Sequence, residues 1–288
     1  MVSFFPIGSV VIPAHNESVV IRRCLDALLS DFAPGELDIV VSCNGCTDDT
    51  ADIVRSSWPA VRVIELVQAS KTAALRAADE VLSVFPRIYM DADVVLPAAS
   101  ARLIIDYLRT DSALAARPSP VYDTSQADAL VRSYHRARVR LLSRTQALWA
   151  GDGVYGVSAA GRARYGTYPD VVADDLFAAQ WFRPSEIKII VSAPSVVTVP
   201  RSTRDLFRIM RRRYQGNTDL RGLRDGPAST THSTLRGLAA AALSGPGAAA
   251  DTATFLGVAA AARITRAFSP PAGWSRDESS RERVMTST

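Results

Sequence analysis

Short apolar runs alternate with helical stripes along the first ninety residues. Residues 8–13 (Gly-Ser-Val-Val-Ile-Pro) read as a short buried strand. From 17 to 29 the spacing changes, and Val20, Ile21, Cys24, Leu25, Leu28 and Leu29 share one stripe of a helix. Pro34-Gly35 ends that unit. The order then repeats: a strand at 37–41, a helix opened by Thr47 with Ile53 and Val54 inward, and a strand at 61–66. Ser70 next caps a helix running through Leu82, and a fourth strand follows at 87–90. Strands alternating with helices predict βαβ units and a parallel sheet. Such sheets bind ligands beyond the carboxyl ends of their strands. The polar tips at 14–17, 43–50, 69–71 and 91–93 all fall on that edge, so they are expected to converge.

The second half has a different texture. Residues 97–110 read as a helix, an extended segment passes near Val121, and 127–149 form a long amphipathic helix. A glycine-rich loop is expected at 151–156, and Asp174-Asp175 lead into a helix within 169–182. Residues 187–199 are strand-like. Residues 204–224 read as a basic helix broken by Gly216. Two short helices are expected at 235–243 and 255–264, and a polar, disordered end at 269–288. There is no internal repeat.

Composition narrows the class. The chain has 288 residues, 48% hydrophobic and 22% charged, enough for a sizeable core. The formal charge of +4 is uneven, with Arg201, Arg204, Arg208, Arg211, Arg212, Arg213, Arg221 and Arg224 late in the chain. The only lysines are Lys71 and Lys188, a balance that fits a GC-rich genome. The basic run has few aromatics beyond Phe207 and Tyr214, which argues against nucleic acid as partner. Cys24, Cys43 and Cys46 make no even disulfide framework, and no second pair or His pair completes a zinc site with Cys43 and Cys46. Reduced cysteines point to the cytoplasm. The start lacks the pattern of a signal peptide, and no apolar stretch reaches the roughly 18 residues of a membrane span.

Chemistry concentrates at the strand ends. Asp91 and Asp93 follow an apolar strand one residue apart, and on an extended segment they would point to the same side. Hard divalent cations bind through one or two carboxylates plus substrate phosphates. The alternative is an acidic cap for the helix near Pro97. Lys71 stands at a helix N-terminus, where a cation opposes the dipole unless an anion lies between them. Asn16, Glu17 and Asp48 could each meet a ligand or stabilise a helix start. Adjacent Asp174 and Asp175 raise each other's pKa, which suits a base near neutral pH, and a helix N-cap is the other reading.

These segments together resemble family 2 glycosyltransferases. Val10-Val11-Ile12-Pro13-Ala14-His15-Asn16-Glu17 is similar to that family's first strand and loop. Cys43-Asn44-Gly45-Cys46-Thr47-Asp48-Asp49-Thr50 is similar to its second-strand motif, where the family usually has a carboxylate in place of Asn44. Lys71-Thr72-Ala73-Ala74-Leu75 resembles the third element, Asp91-Ala92-Asp93 the metal motif and Asp174-Asp175-Leu176 the acidic acceptor motif. Arg211-Arg212-Arg213-Tyr214-Gln215-Gly216 resembles a late basic-aromatic motif more loosely.

The resemblance implies an α/β glycosyltransferase A-type fold: a Rossmann-like, mostly parallel sheet flanked by helices, with a helical C-terminal extension. It implies transfer of a sugar from a nucleotide-diphosphate sugar, with inversion, assisted by Mn²⁺ or Mg²⁺. The donor side would comprise Pro13, Ala14, Asn16, Glu17, Asn44, Asp48, Lys71, Asp91, Arg211 and Arg213. Asp93 and Asp91 would hold the metal. Asp175 would be the catalytic base with Asp174 beside it, and Asp152, Gly153 and Tyr155 would line the acceptor side. Residues 1–95 would form the donor half, 96–225 the acceptor half, and 226–288 an Ala-rich helical tail. A lipid-linked or small-molecule acceptor is expected. The protein is expected in the cytoplasm, with peripheral contact at the inner face of the membrane as an option. A retaining transferase on the same fold, or an inactive sugar-nucleotide-binding protein, is the alternative.

Overall fold

The structure is a computed structural model that describes residues 5–110, 113–144, 152–170, 174–221 and 231–268. Its chain forms two compact units, Met1–Val121 with Ala150–Val197, and Tyr122–Trp149 with Thr198–Thr288.

The first unit is built on strands β1 (Gly8–Ala14), β2 (Leu37–Asn44), β3 (Arg62–Leu66) and β4 (Arg87–Met90), which pair in parallel in the order β3-β2-β1-β4. Their crossovers carry helices α1 (Ile21–Leu29), α2 (Thr50–Ser57) and α3 (Lys71–Val81). Val10, Ile12, Ile39, Val41, Ile88 and Met90 are buried together with Cys24, Leu25 and Leu28 of α1. Their short branched side chains suit a sheet covered on its faces.

The helices begin later than the apolar stripe suggests. α1 opens at Ile21, not 17, because Glu17 O already accepts from Val20 N and Ile21 N in a tight turn. α2 opens at Thr50, not Thr47, since the Thr47 N–H is bonded to Asn16 Oδ1 at 2.6 Å instead. Ser70 caps α3 as expected, its hydroxyl accepting from Ala73 N at 3.2 Å.

After β4 come β5 (Val94–Val95), α4 (Ala98–Arg109), β6 (Ala115–Asp123), β7 (Val154–Val157), α6 (Ala159–Arg162), α7 (Asp174–Ala179) and β8 (Ile187–Thr198), with α5 (Ala129–Arg144) between β6 and β7. The full sheet runs β3-β2-β1-β4-β7-β6-β8-β5. It is mixed, for β4–β7, β6–β7 and β5–β8 pair antiparallel.

The segment expected to be a glycine-rich loop is therefore half strand. Gly156 sits inside β7 because a Cβ there would lie 2.8 Å from Ile104 Cγ2 of α4. The glycine serves helix packing and does not break the strand.

The second unit is helical, with α5, α8 (Thr203–Arg221), α9 (Thr231–Ala242) and α10 (Pro246–Phe268). Val131 and Tyr134 of α5, Leu206 and Met210 of α8, and Val258 and Ala262 of α10 make its core. Gly216 does not break α8, which runs through it. A helical glycine costs only about 1 kcal/mol relative to alanine. α10 has 23 residues, far longer than the short helix expected, and alanine, the strongest helix former, recurs along it. Asp251 of α10 accepts from Ser133 Oγ at 2.7 Å, Arg136 Nη2 at 2.7 Å and Arg140 Nη1 at 2.6 Å, tying it to α5.

The expected disordered end at 269–288, the end of the long helix at 145–149, and Gly151 lie outside the described residues. Among the described residues no helix is long and apolar enough to cross a membrane.

Candidate active site

Two loops at the carboxyl edge of the parallel strands are stitched to each other. Asn16 adopts a left-handed conformation (φ 54°), which asparagine tolerates better than most residues. Its Oδ1 accepts from Thr47 N, and its N–H points to Cys46 Sγ at 3.4 Å. Glu17 N donates to Thr50 Oγ1 at 2.8 Å, and Ser18 N to Asp48 Oδ2 at 3.0 Å. Asn44 Nδ2 donates to Ala14 O at 2.9 Å, a bond that a carboxylate at 44 could not make. Asp48, Asn16 and Asn44 thus hold backbone, whatever else they do. The Cys46 thiol is lowered to about 7, chiefly by its hydrogen bond with Cys43.

Beside these loops lies an open cleft lined by Pro13, Lys71, Asp91, Gly153, Tyr155, Asp174 and Asp175, with Leu75, Tyr89 and Met90. The first seven are sequence candidates. The last three sequence reasoning missed, though spacing could have found them. Leu75 follows Lys71 by one helical turn, and Tyr89 and Met90 are the strand residues directly before Asp91.

The Asp91 region departs from the expected geometry. β4 ends at Met90, and Val94 N bonds back to Asp91 O at 3.2 Å, so residues 91–94 form a turn. The alternation that would aim Asp91 and Asp93 to one side does not apply there. Asp91 N instead donates to Gly153 O at 2.8 Å. Gly153 has φ +73°, and a Cβ on it would stand 3.0 Å from Asp91 Oδ2 and 2.8 Å from Val94 Cγ2, so glycine is required. Arg23 Nη2 donates to the Asp93 carbonyl at 3.2 Å.

Lys71 joins the two acidic motifs. Its Nζ is 2.6 Å from Asp91 Oδ1 and 2.8 Å from Asp174 Oδ1. Burial works against the ammonium charge, but Asp174, Asp91 and Asp175 outweigh it, and Lys71 titrates above the usual lysine range. Asp174 is raised to about 6, first by burial, with Lys71 opposing and Asp175 and Asp91 adding to the rise. Three carboxylates face one ammonium, and the most buried of them takes up a proton most readily.

Asp175 accepts from its own neighbour's Leu176 N at 2.7 Å at the start of α7. The chain before α7 is clamped to α3, as Arg76 donates to Tyr168 O at 2.7 Å and pairs with Asp170 at 2.9 Å. Tyr155 stacks on Tyr89 at 5.0 Å and bonds Tyr168 through their hydroxyls at 2.7 Å.

Other candidates fall elsewhere. Asp152 is buried beside Arg117, 3.5 Å away. Arg211 and Arg213 lie on α8 in the helical unit, both half-buried. Among the described residues no three His, Cys, Asp or Glu side chains converge as a metal cage. Asp91 is a partly exposed oxygen donor in a cluster with excess negative charge; Asp93 is partly exposed as well but is not among the residues that line the cleft. That chemistry fits a hard cation that takes its remaining ligands from a bound diphosphate and water.

Comparison with known proteins defines the class. The profile described as Glycosyl transferase family 2 matches residues 9–164, more than half of the chain, and the chain belongs to that family. Validoxylamine A glucosyltransferase of Streptomyces hygroscopicus subsp. limoneus is 40% identical over 62 residues, 21% of this chain and 14% of that protein. Chondroitin synthase of Escherichia coli is 30% identical over 124 residues, 42% of this chain and 17% of its own length. The matched segments span less than a fifth of either relative.

Among solved structures, mannosyltransferase PcManGT from Pyrobaculum calidifontis, in complex with GDP-Man and Mn²⁺, aligns over 92% of this chain and 84% of its own, with TM-score 0.60 and 22% identity. Staphylococcus aureus TarS 1-349, in complex with UDP, aligns over 89% and 91%, with TM-score 0.54 and 14% identity. Glucosyl-3-phosphoglycerate synthase from Mycobacterium tuberculosis, in complex with Mn²⁺, UDP and phosphoglyceric acid, aligns over 77% and 79%, with TM-score 0.54 and 20% identity. At these identities the likeness is one of fold, the glycosyltransferase A-type.

Proposed function

We propose that this protein transfers a sugar from a nucleotide-diphosphate sugar to an acceptor hydroxyl, with inversion and with a divalent cation. The supporting observation is that Lys71, Asp91, Asp174 and Asp175 line one cleft. Asp91 and Asp93 would hold Mn²⁺ or Mg²⁺, which neutralises charge growing on the departing diphosphate. Lys71 would pair with the same diphosphate from the start of α3. Asp175 would take the proton from the acceptor hydroxyl, with Asp174 beside it in the cleft. Tyr155 and Gly153 would form the acceptor wall, with Asp152 behind them.

The same reading keeps residues 1–95 as the donor half and 96–225 as the acceptor half. Donor-phosphate contact by Arg211 and Arg213 belongs to it as well, since arginine makes forked bonds to phosphate. A cytoplasmic place, a lipid-linked or small-molecule acceptor, and the Ala-rich tail after 226 as the part that would meet a membrane in the lipid-linked case complete the proposal. Neighbours of the same fold are complexed with GDP-Man and with UDP, so either base is a reasonable first donor to try.

The test is a screen of UDP- and GDP-sugars for turnover, with Mn²⁺, Mg²⁺ or chelator, and assignment of the product anomer by NMR. Metal-dependent turnover with an inverted anomer is expected. A retained anomer would remove Asp175 as base, and no turnover or binding of any donor would favour a protein without transferase activity.

A further inference from the structure

Lys71 holds a place that a divalent cation would need. Its ammonium bridges Asp91 Oδ1 at 2.6 Å and Asp174 Oδ1 at 2.8 Å, two carboxylates from distant parts of the chain. It is the first residue of α3, where the helix dipole disfavours a cation. The carboxylates therefore hold the ammonium, and the helix does not. The other Asp91 oxygen faces Gly153, where there is no room even for a Cβ. A metal ion approaching Asp91 must compete with Lys71 for the more open side of that carboxylate.

Resting on the reading of this cleft as a metal and diphosphate site, we propose that Lys71 is a built-in cation plug. It neutralises Asp91 and Asp174 until a diphosphate offers its ammonium another anion, and only then is Asp91 released to a divalent cation. Metal and diphosphate then enter as a pair, and the metal alone binds poorly. A lysine that merely contacted diphosphate would leave the affinity for metal alone unchanged. That difference separates a plug from an ordinary phosphate ligand, and it is read without any turnover. Lys71 is in this sense a positioning residue for the cation.

The experiment measures Mn²⁺ binding to the full chain by the EPR signal of free Mn²⁺, alone and with UDP, GDP or inorganic pyrophosphate. Wild type should bind Mn²⁺ at least about tenfold tighter with a diphosphate than without, a common size for coupling between two ligands. Lys71→Met should bind Mn²⁺ alone about tenfold tighter than wild type, and gain little from a diphosphate. Lys71→Met with Asp174→Asn removes the ammonium together with the buried carboxylate that needs it. This double variant should show the same gain and guards against a fold lost to an unpaired charge. Adding Asp91→Asn to either should abolish the gain.

If both Lys71→Met proteins bind Mn²⁺ alone no tighter than wild type, while wild type still binds it with a diphosphate, the plug is wrong and the metal site stands. A gain that survives Asp91→Asn also overturns the plug, since the cation would then sit elsewhere. If wild type binds no Mn²⁺ with any of the three diphosphates, the metal reading falls and takes the plug with it.

Discussion

Asp251 in the helical unit and Asp174 in the sheet unit are each 3% exposed, yet their surroundings push them in opposite directions. Asp251 accepts from Arg136, Arg140 and Ser133, and its carboxyl is held well below the usual range, first by the Arg136 hydrogen bond. Asp174 shares one ammonium with Asp91, stands beside Asp175, and is raised to about 6. A buried carboxylate with donors to spare braces a fold. One with too few is left with an appetite for a proton or a cation, a common trait of functional sites. The contrast sets the first with the architecture and, under the proposed function, the second with the chemistry.

The largest expected effect tests the chemical side. Asp175→Asn keeps the shape and removes the proposed proton acceptor, so transfer should fall about 100-fold to 10,000-fold while donor affinity holds. Turnover and donor titration on the same sample check this. Unchanged turnover would move Asp175 to the architectural group.

Next comes the brace. Asp251→Asn should lower stability by about 2 kcal/mol, less than a fully buried pair would lose, because Arg136 and Arg140 are partly exposed. Its pH dependence follows from its lowered pKa. The contribution is present above the ordinary carboxylate value of about 3.9 and is lost as pH falls through the depressed value. Melting curves of wild type and variant should therefore converge only in strong acid. Equal melting temperatures at neutral pH would break the comparison from this side.

A further effect, shared across the coupled cluster and so weaker at any one pH, belongs to Asp174. A raised carboxyl gives stability that is present below about pH 3.9 and is lost as pH rises through about 6. Wild type should lose melting temperature over that window relative to Asp174→Asn. A parallel pair of melting profiles would show that Asp174 carries no such load.

Smallest is Arg76→Ala, which unclasps Tyr168 and Asp170 from α3. Asp170 is largely exposed, so less than about 1 kcal/mol should be lost. A modest drop in kcat without a change in donor affinity is the expected signature, read from initial rates. A fall in donor affinity would place Arg76 on the other side of the cleft.

The parallel half of the sheet was legible because each strand and the helix after it are neighbours in sequence, and their periods differ visibly. The cleft was legible for the same reason: Lys71 and Asp91 sit at predicted element ends, and Asp174-Asp175 announce a helix start. β7 was not, because its glycines imitate a loop and its partner β4 lies far back along the chain. The turn at Asp91 was hidden too, since it depends on the carbonyl of Gly153. The role of Asp48 in binding Ser18 and Thr50 needed both loops in place before it could be seen. Local pattern conveys elements and their ends, and pairing across the sheet decides what those ends touch.

Asp79, near the end of α3, accepts from Arg87 at 2.5 Å and Tyr89 at 2.7 Å on β4, and from Arg162 at 2.9 Å on α6. One carboxylate thereby fastens the helix that begins with Lys71, the strand that ends before Asp91, and the segment following β7. For the parallel and antiparallel halves of the sheet to open separately, that shared group would have to be pulled from the buried Arg87 and the half-buried Arg162. The two halves should exchange their amide hydrogens on a common timescale, as a single cooperative block. Any movement of Lys71 then belongs to its own side chain, over a helix that stays still.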